Sequence, residues 1–256
     1  MYSKPNLYLY LFFSWIFIIK FCFAQDNLKD GKEWKELNLG LIEASREGQV
    51  EKVKLLLKKG AVISTRNRFG NTALHYAARN DHINVLKVLL DTGADYDLPS
   101  LSKKTPFLEA LVGGNKEIAN ILLNLGANVK VQDNDNMTAV TAAAYNGLHQ
   151  ICKKIIKLGA KTNIADSSGK SAIHYAAGKG YLETIKVLVE AGVNINTPDA
   201  NKVSPLIWAS AYGHNDVVLY LLSINANREH RDNSGKTAAE YAVNAGHTDT
   251  YKILIK

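Results

Sequence analysis

Along most of the chain, short runs of small and apolar residues alternate with longer stretches in which apolar residues recur at helical spacing. "ALHYAAR" (73–79) is followed by "INVLKVLLDT" (83–92), and "AIHYAAG" (172–178) by "LETIKVLVEA" (182–191). The second member of each pair reads as an amphipathic helix. The first is alanine-rich, and small Ala77 and Ala78 let neighbouring helices approach closely. Polar stretches such as "ADYDLPSLSKK" (94–104) turn the chain between pairs. The pattern predicts an all-α protein of helix pairs.

The pattern is periodic. Thr72, Thr105, Thr138, Ser171, Ser204 and Thr237 are each 33 residues apart. Gly60, Gly93, Gly126, Gly159 and Gly192 keep the same period, and Asn225 continues them. So do Gly48, Gly114, Gly147, Gly180, Gly213 and Gly246, with Asp81 in the series once. The hydroxyl is expected to cap the first helix of each unit. The glycine between helices is expected to end it in a positive-φ conformation.

At these residues the sequence resembles the ankyrin repeat family. "NRFGNTALHYAARNDH" (67–82) and "DSSGKSAIHYAAGKGY" (166–181) match its pattern closely, "KKTPFLEALVGGN" (103–115) and "NKVSPLIWASAYGH" (201–214) less fully. The resemblance implies an α-solenoid of helix-turn-helix units joined by β-turn loops. It covers about residues 36–256, in units near 36–66, 67–99, 100–132, 133–165, 166–198, 199–231 and 232–256, with 25–35 as an N-terminal extension. "LGLIEASREGQVEKVKLLLKKGA" (39–61) lacks the Thr and resembles an N-terminal capping unit. "GKTAAEYAVNAGHTDTYKILIK" (235–256) resembles a C-terminal one.

The first residues break the pattern. Lys4 precedes an apolar run from Leu7 to Ile19, and Lys20, "FCFA" and Gln25 follow. Residues 1–24 are expected to be a secretory signal peptide, which places the protein in the periplasm or outside the cell. The alternative is a retained membrane anchor, although the run is short for a span of about 20 residues and Lys20 interrupts it. Cleavage would leave 29 basic and 24 acidic residues, a net charge of +5, with Cys152 as the remaining cysteine and no internal disulfide.

Candidate chemistry is absorbed by the repeat. His75 and His174 occupy the T-x-x-H site; His82, His214 and His247 follow the inter-helix position. Structural, hydrogen-bonded histidines are expected, together with helix-opening Thr72, Thr105, Thr138, Ser171, Ser204 and Thr237. "GKS" (169–171) and "GKT" (235–237) lack the upstream glycine of a phosphate loop. "DNDN" (133–136) lacks the glycine and glutamate of a calcium loop. Cys152 falls on an apolar stripe and reads as a buried thiol. No cofactor, metal or catalytic constellation is expected.

In the ankyrin family partners bind the concave face, built from loop tips and first helices. Counted from each Thr/Ser, that face here includes Arg46, Arg68, Phe69, Asn71, Arg79, Asn80, Leu101, Lys104, Met137, Tyr145, Asn146, Lys170, Lys179 and Tyr212. Its mapped positions hold seven basic residues, Lys236 among them, and two acids, Glu47 and Asp135, a balance of +5. Aromatic residues, Met and Arg are enriched at interface cores. The expected function is a non-enzymatic, exported protein-interaction module, a scaffold or regulator that is monomeric and binds a protein with an acidic patch. Alternatives are an effector acting on a host protein and a membrane-tethered adaptor. Nucleic-acid binding has no motif to support it.

Overall fold

A first helix of seven residues is too short to be stable alone, so its ends and faces must be completed by neighbours. The computed structural model describes residues 31–256, and the expected signal peptide lies outside the described residues. Among them fourteen helices form seven consecutive pairs. The first helices are α1 (Gly31–Arg46), α3 (Ala73–Arg79), α5 (Pro106–Val112), α7 (Ala139–Tyr145), α9 (Ala172–Gly178), α11 (Pro205–Ala211) and α13 (Ala238–Asn244). The second helices are α2 (Val50–Lys58), α4 (Ile83–Asp91), α6 (Lys116–Asn124), α8 (His149–Lys157), α10 (Leu182–Glu190), α12 (Asn215–Ser223) and α14 (Thr248–Leu254).

Each first helix packs on the first helices of the adjoining units and on its own second helix. The first-helix layer is the more closely stacked of the two. Its close approach depends on alanine: Ala77, Ala78, Ala143, Ala144, Ala176 and Ala177 are fully buried. Between the layers runs one continuous core, with Leu74, Phe107, Leu108 and Ile173 from first helices and Leu86, Ile118, Ile151 and Leu188 from second helices. Cys152 is buried in it, and desolvation pushes its thiol up to about 12, so it stays protonated. No helix of the described residues is long and apolar enough to cross a membrane.

The helix starts follow the hydroxyl ladder. Thr105, Thr138, Ser204 and Thr237 each accept a hydrogen bond from the backbone N–H three residues on. α1 carries Leu39 at the register of this residue. It is 16 residues long and takes in the end of the segment assigned to the extension.

The far ends of the first helices are closed by the next unit. The Asn80 and His82 side chains both donate to the carbonyl of Arg46, at 2.9 Å each. Asn115 Nδ2 donates to Ala78 and Arg79, Asn146 Nδ2 to Leu111 and Val112, and His214 Nε2 to Gly178. These bonds satisfy carbonyls that a helix end leaves without partners.

The inter-helix glycines make room for these side chains. Gly180 has φ +74°, and a Cβ there would lie 2.6 Å from His214 Nδ1. Gly246, at the same register with φ +77°, has nothing within 4 Å of such a Cβ. Gly246→Ala should therefore cost about 1 kcal/mol, from the positive φ alone. Gly180→Ala should cost about 2–3 kcal/mol, because the ring must also move off the carbonyl it bonds. Urea denaturation of both variants measures the difference; equal losses would show that the ring moves freely.

Candidate functional site

In five units the loop preceding the first helix is built by one Asp or Asn side chain, five residues before the Thr/Ser. In the fifth unit Asp166 Oδ1 accepts the backbone N–H groups of Ser168 and Lys170, at 2.8 and 3.0 Å. Asn67, Asp133, Asp199 and Asp232 do the same in their units. The other carboxylate oxygen then reaches the first helix, four residues past the Thr/Ser. Tyr175 donates to Asp166, Trp208 Nε1 to Asp199 at 3.1 Å, and Tyr241 to Asp232 at 2.6 Å. In the second unit the direction reverses, and Asn67 Nδ2 donates to the Tyr76 hydroxyl at 2.9 Å. Burial alone would raise Asp166, but the hydrogen bonds from Tyr175 and Ser168 outweigh it and hold the carboxyl below its ordinary value. Desolvation and the Asp166 bond push the Tyr175 phenol up to about 12. Backbone bonds between adjoining loops, such as Leu101 N–H to Phe69 and Ser167 N–H to Asp135, join the tips into a ribbon beside the first helices.

These braces present a row of aromatic rings on the inner face, and between the fourth and sixth units the row opens into a cleft of about 440 Å³. Tyr145 and Tyr175 meet edge to face with centroids 5.4 Å apart. Trp208 and Tyr212 stack at 5.9 Å, within 7° of parallel. Gly178 lies between them, with its would-be Cβ 3.3 Å from Trp208 Cε3. Lys170 Nζ sits 4.5 Å over the Trp208 ring, and Lys179 Nζ 5.0 Å over Tyr145. Lys170 and Lys179 are the charged residues of the lining, which contains no carboxylate.

The other residues expected on this face divide by what their side chains touch. Arg68 lies over Phe69 at 4.7 Å, and Phe69 and Leu101 are 53% and 68% exposed at adjoining loop tips. Met137 is half-buried and packs against the core, and Asn71 is half-buried. Arg46 pairs with Glu43 on its own helix. The side chains of Asn80 and Asn146 are committed to the helix ends described above. Arg79 lies 3.5 Å from Glu109 Oε2, and Lys104 lies 3.7 Å from Asp133. Glu109 is 3% exposed, and Oε2 accepts no hydrogen bond. Desolvation raises its carboxyl, against the opposing charges of Arg79 and Lys104. The rings at 175 and 208, four residues past Ser171 and Ser204, were outside the set expected from the sequence. The signal for them was present: the same register holds Tyr76, Tyr175, Trp208 and Tyr241.

The repeated histidines are internal fasteners. His75 Nδ1 accepts the Thr72 backbone N–H at 3.2 Å, and Nε2 donates to the Lys104 carbonyl of the next unit at 3.1 Å. His174 Nδ1 likewise accepts the Ser171 backbone N–H at 3.1 Å, but its Nε2 donates to the Thr197 carbonyl of its own unit at 2.9 Å. These partners require the neutral ring protonated on Nε2. Among the described residues no three His, Cys, Asp or Glu side chains gather as a metal site.

Fold and face together define a helical-repeat protein with an extended inner surface, the architecture of an interaction module. A family model for ankyrin repeats matches the chain in three overlapping copies, at residues 41–133, 107–199 and 196–256. The chain belongs to the ankyrin repeat family, whose members are protein–protein interaction modules. The comparison with curated proteins finds no match.

Two outcomes follow from the buried polar groups. Burial pushes His75 from 6.5 down to about 4 and lowers His174. The unfolded chain accepts these protons near pH 6.5 while the folded chain resists them. Their contribution to stability is therefore full above that pH and is lost as pH falls below it, for His75 down to about pH 4, by up to about 1.4 kcal/mol per pH unit. The double variant His75→Gln, His174→Gln keeps an acceptor at the capping position. It should flatten the slope of unfolding free energy between pH 7 and 5; an unchanged slope would place the titration elsewhere. Separately, Arg79→Ala should cost about 1–2 kcal/mol by leaving the buried Glu109 carboxyl without its ion-pair partner. That cost should largely vanish in a Glu109→Gln background, as a double-mutant cycle in urea would measure.

Proposed function

We propose that the protein is an exported, non-catalytic scaffold or regulator that binds a protein partner with an acidic patch through its inner face. The observation that carries this reading is the aromatic cleft around Gly178. Tyr145 and Tyr212 are 40% and 55% exposed there, beside two lysines and with no acid in the lining. Stacked rings left open to solvent offer a partner large apolar area at low entropic cost. The basic residues along the same face favour an acidic patch and would steer its approach. Export rests on the apolar segment Leu7–Ile19 and the small residues before Gln25.

Gly178 has an ordinary helical backbone, so a side chain there fills the cleft without backbone strain. Affinity capture from the exported fraction, with the full chain as bait, tests the proposal. Wild-type protein should retain a specific partner that Gly178→Leu and, independently, Tyr212→Ala lose, while circular dichroism shows both variants folded. A captured set that both folded variants keep would overturn inner-face binding.

A further inference from the structure

At the register seven residues past the Thr/Ser, the other units carry Arg79, Val112, Tyr145, Ala211 and Asn244; the fifth unit carries Gly178. The missing side chain turns a shallow groove into a recess, floored by backbone and walled by the Trp208–Tyr212 stack. We propose that this recess is an anchor subsite for one bulky apolar side chain of an extended acidic protein segment, with carboxylates on either side of that anchor taken by Lys170 and Lys179. The proposal rests on the inner-face reading above and adds which chemistry is recognised, and by which residues.

The charges select the occupant. Aromatic rings alone would suit a cation, but the Lys170 ammonium already lies on the face of Trp208 and that of Lys179 on Tyr145. A second cation would meet two like charges with no carboxylate to offset them. The nearest acids, Asp166 and Asp199, are held by backbone N–H groups and by Tyr175 and Trp208. The recess histidines are committed too: His174 is buried between Ser171 and Thr197, and His214 donates to Gly178. The open valences of the site are therefore ammonium protons at its rim and the exposed ring surface of Tyr145 and Tyr212. An apolar side chain covers the ring faces, and flanking carboxylates accept charge-assisted hydrogen bonds from the lysines. Aromatic anchors filling such recesses dominate interface energies.

Three short peptides test this on the full chain. One carries a phenylalanine flanked by glutamates, one a serine in its place, and one the phenylalanine flanked by lysines. Binding is read by calorimetry and located by the NMR shift of the Trp208 indole N–H. The glutamate-flanked phenylalanine peptide should bind, move the Trp208 signal and weaken as salt is added. The serine peptide should bind about tenfold or more weakly. Lys170→Glu with Lys179→Glu should lower the affinity of the first peptide by about tenfold or more, and Gly178→Leu should abolish it. Equal binding of the lysine-flanked peptide, or no Trp208 shift with any peptide at millimolar concentration, overturns the proposal. If the peptides fail in this way while Gly178→Leu still releases a captured partner, the anchor chemistry falls and the inner-face reading stands. If capture is also insensitive to Gly178→Leu, both fall.

Discussion

The fold depends on hydrogen bonds that cross from one unit to the next. A seven-residue helix leaves most of its backbone donors and acceptors without partners inside the helix. Here the hydroxyl of the same unit closes the start, and a side chain of the following unit closes the end: Asn80 and His82 on Arg46, Asn115 on Arg79, His214 on Gly178. The inter-helix glycine leaves space for the arriving ring, and the paired alanines let the helices close to that distance. No unit is complete by itself, so stability is a property of neighbouring pairs rather than of single repeats.

The same economy shapes the inner face. In most units an Asx residue organises the loop with one oxygen or amide group and braces the first helix with the other. This fixes the polar end of the aromatic ring while its body packs along the first helix. The result is rigid display: Tyr175, Trp208 and Tyr241 are each tied at the polar end and stay half-buried. Rings fixed in advance lose little entropy when a partner covers them, which is where their value for recognition lies.

Much of the fold was legible because it is written in residue types with one physical job at a fixed spacing. The hydroxyls, the glycines and the alanines at a 33-residue period specified helix starts, helix ends and close packing. The face was less legible. Counting positions from Thr72 or Ser171 located the loop tips and the last turn of each first helix. It could not show that Asn80 and Asn146 reach backward to cap a neighbour, because a polar residue on a surface register reads as available until its partner is seen. Trp208 and Tyr175 escaped for the opposite reason: they stand in a helix otherwise filled by core residues, and their bond to an aspartate nine residues earlier is visible only in the fold. The length of α1 was hidden because its unit carries Leu39 where the others carry the capping hydroxyl.

The third and fourth units show how the array tolerates loss of its own device. Ser100 replaces the loop Asx residue in one, Glu109 the ring in the same unit, and Ala142 the ring in the next. Asp133 is thereby left without a donor on its own helix, and Lys104 of the preceding unit lies beside it. Glu109, deprived of an Asx partner, is buried next to Arg79 instead. Hydrogen-bonded braces give way to ion pairs across units, which hold charge at that point where other units hold rings. The exposed tips Phe69 and Leu101 belong to the units that carry these ion pairs, whereas the aromatic cleft lies between the fourth and sixth units. A partner that spans the whole face would have to match apolar tips and ion pairs in one half as well as the cleft in the other. A short segment seated in the cleft would not, and that difference favours a local anchor over a flat, continuous interface.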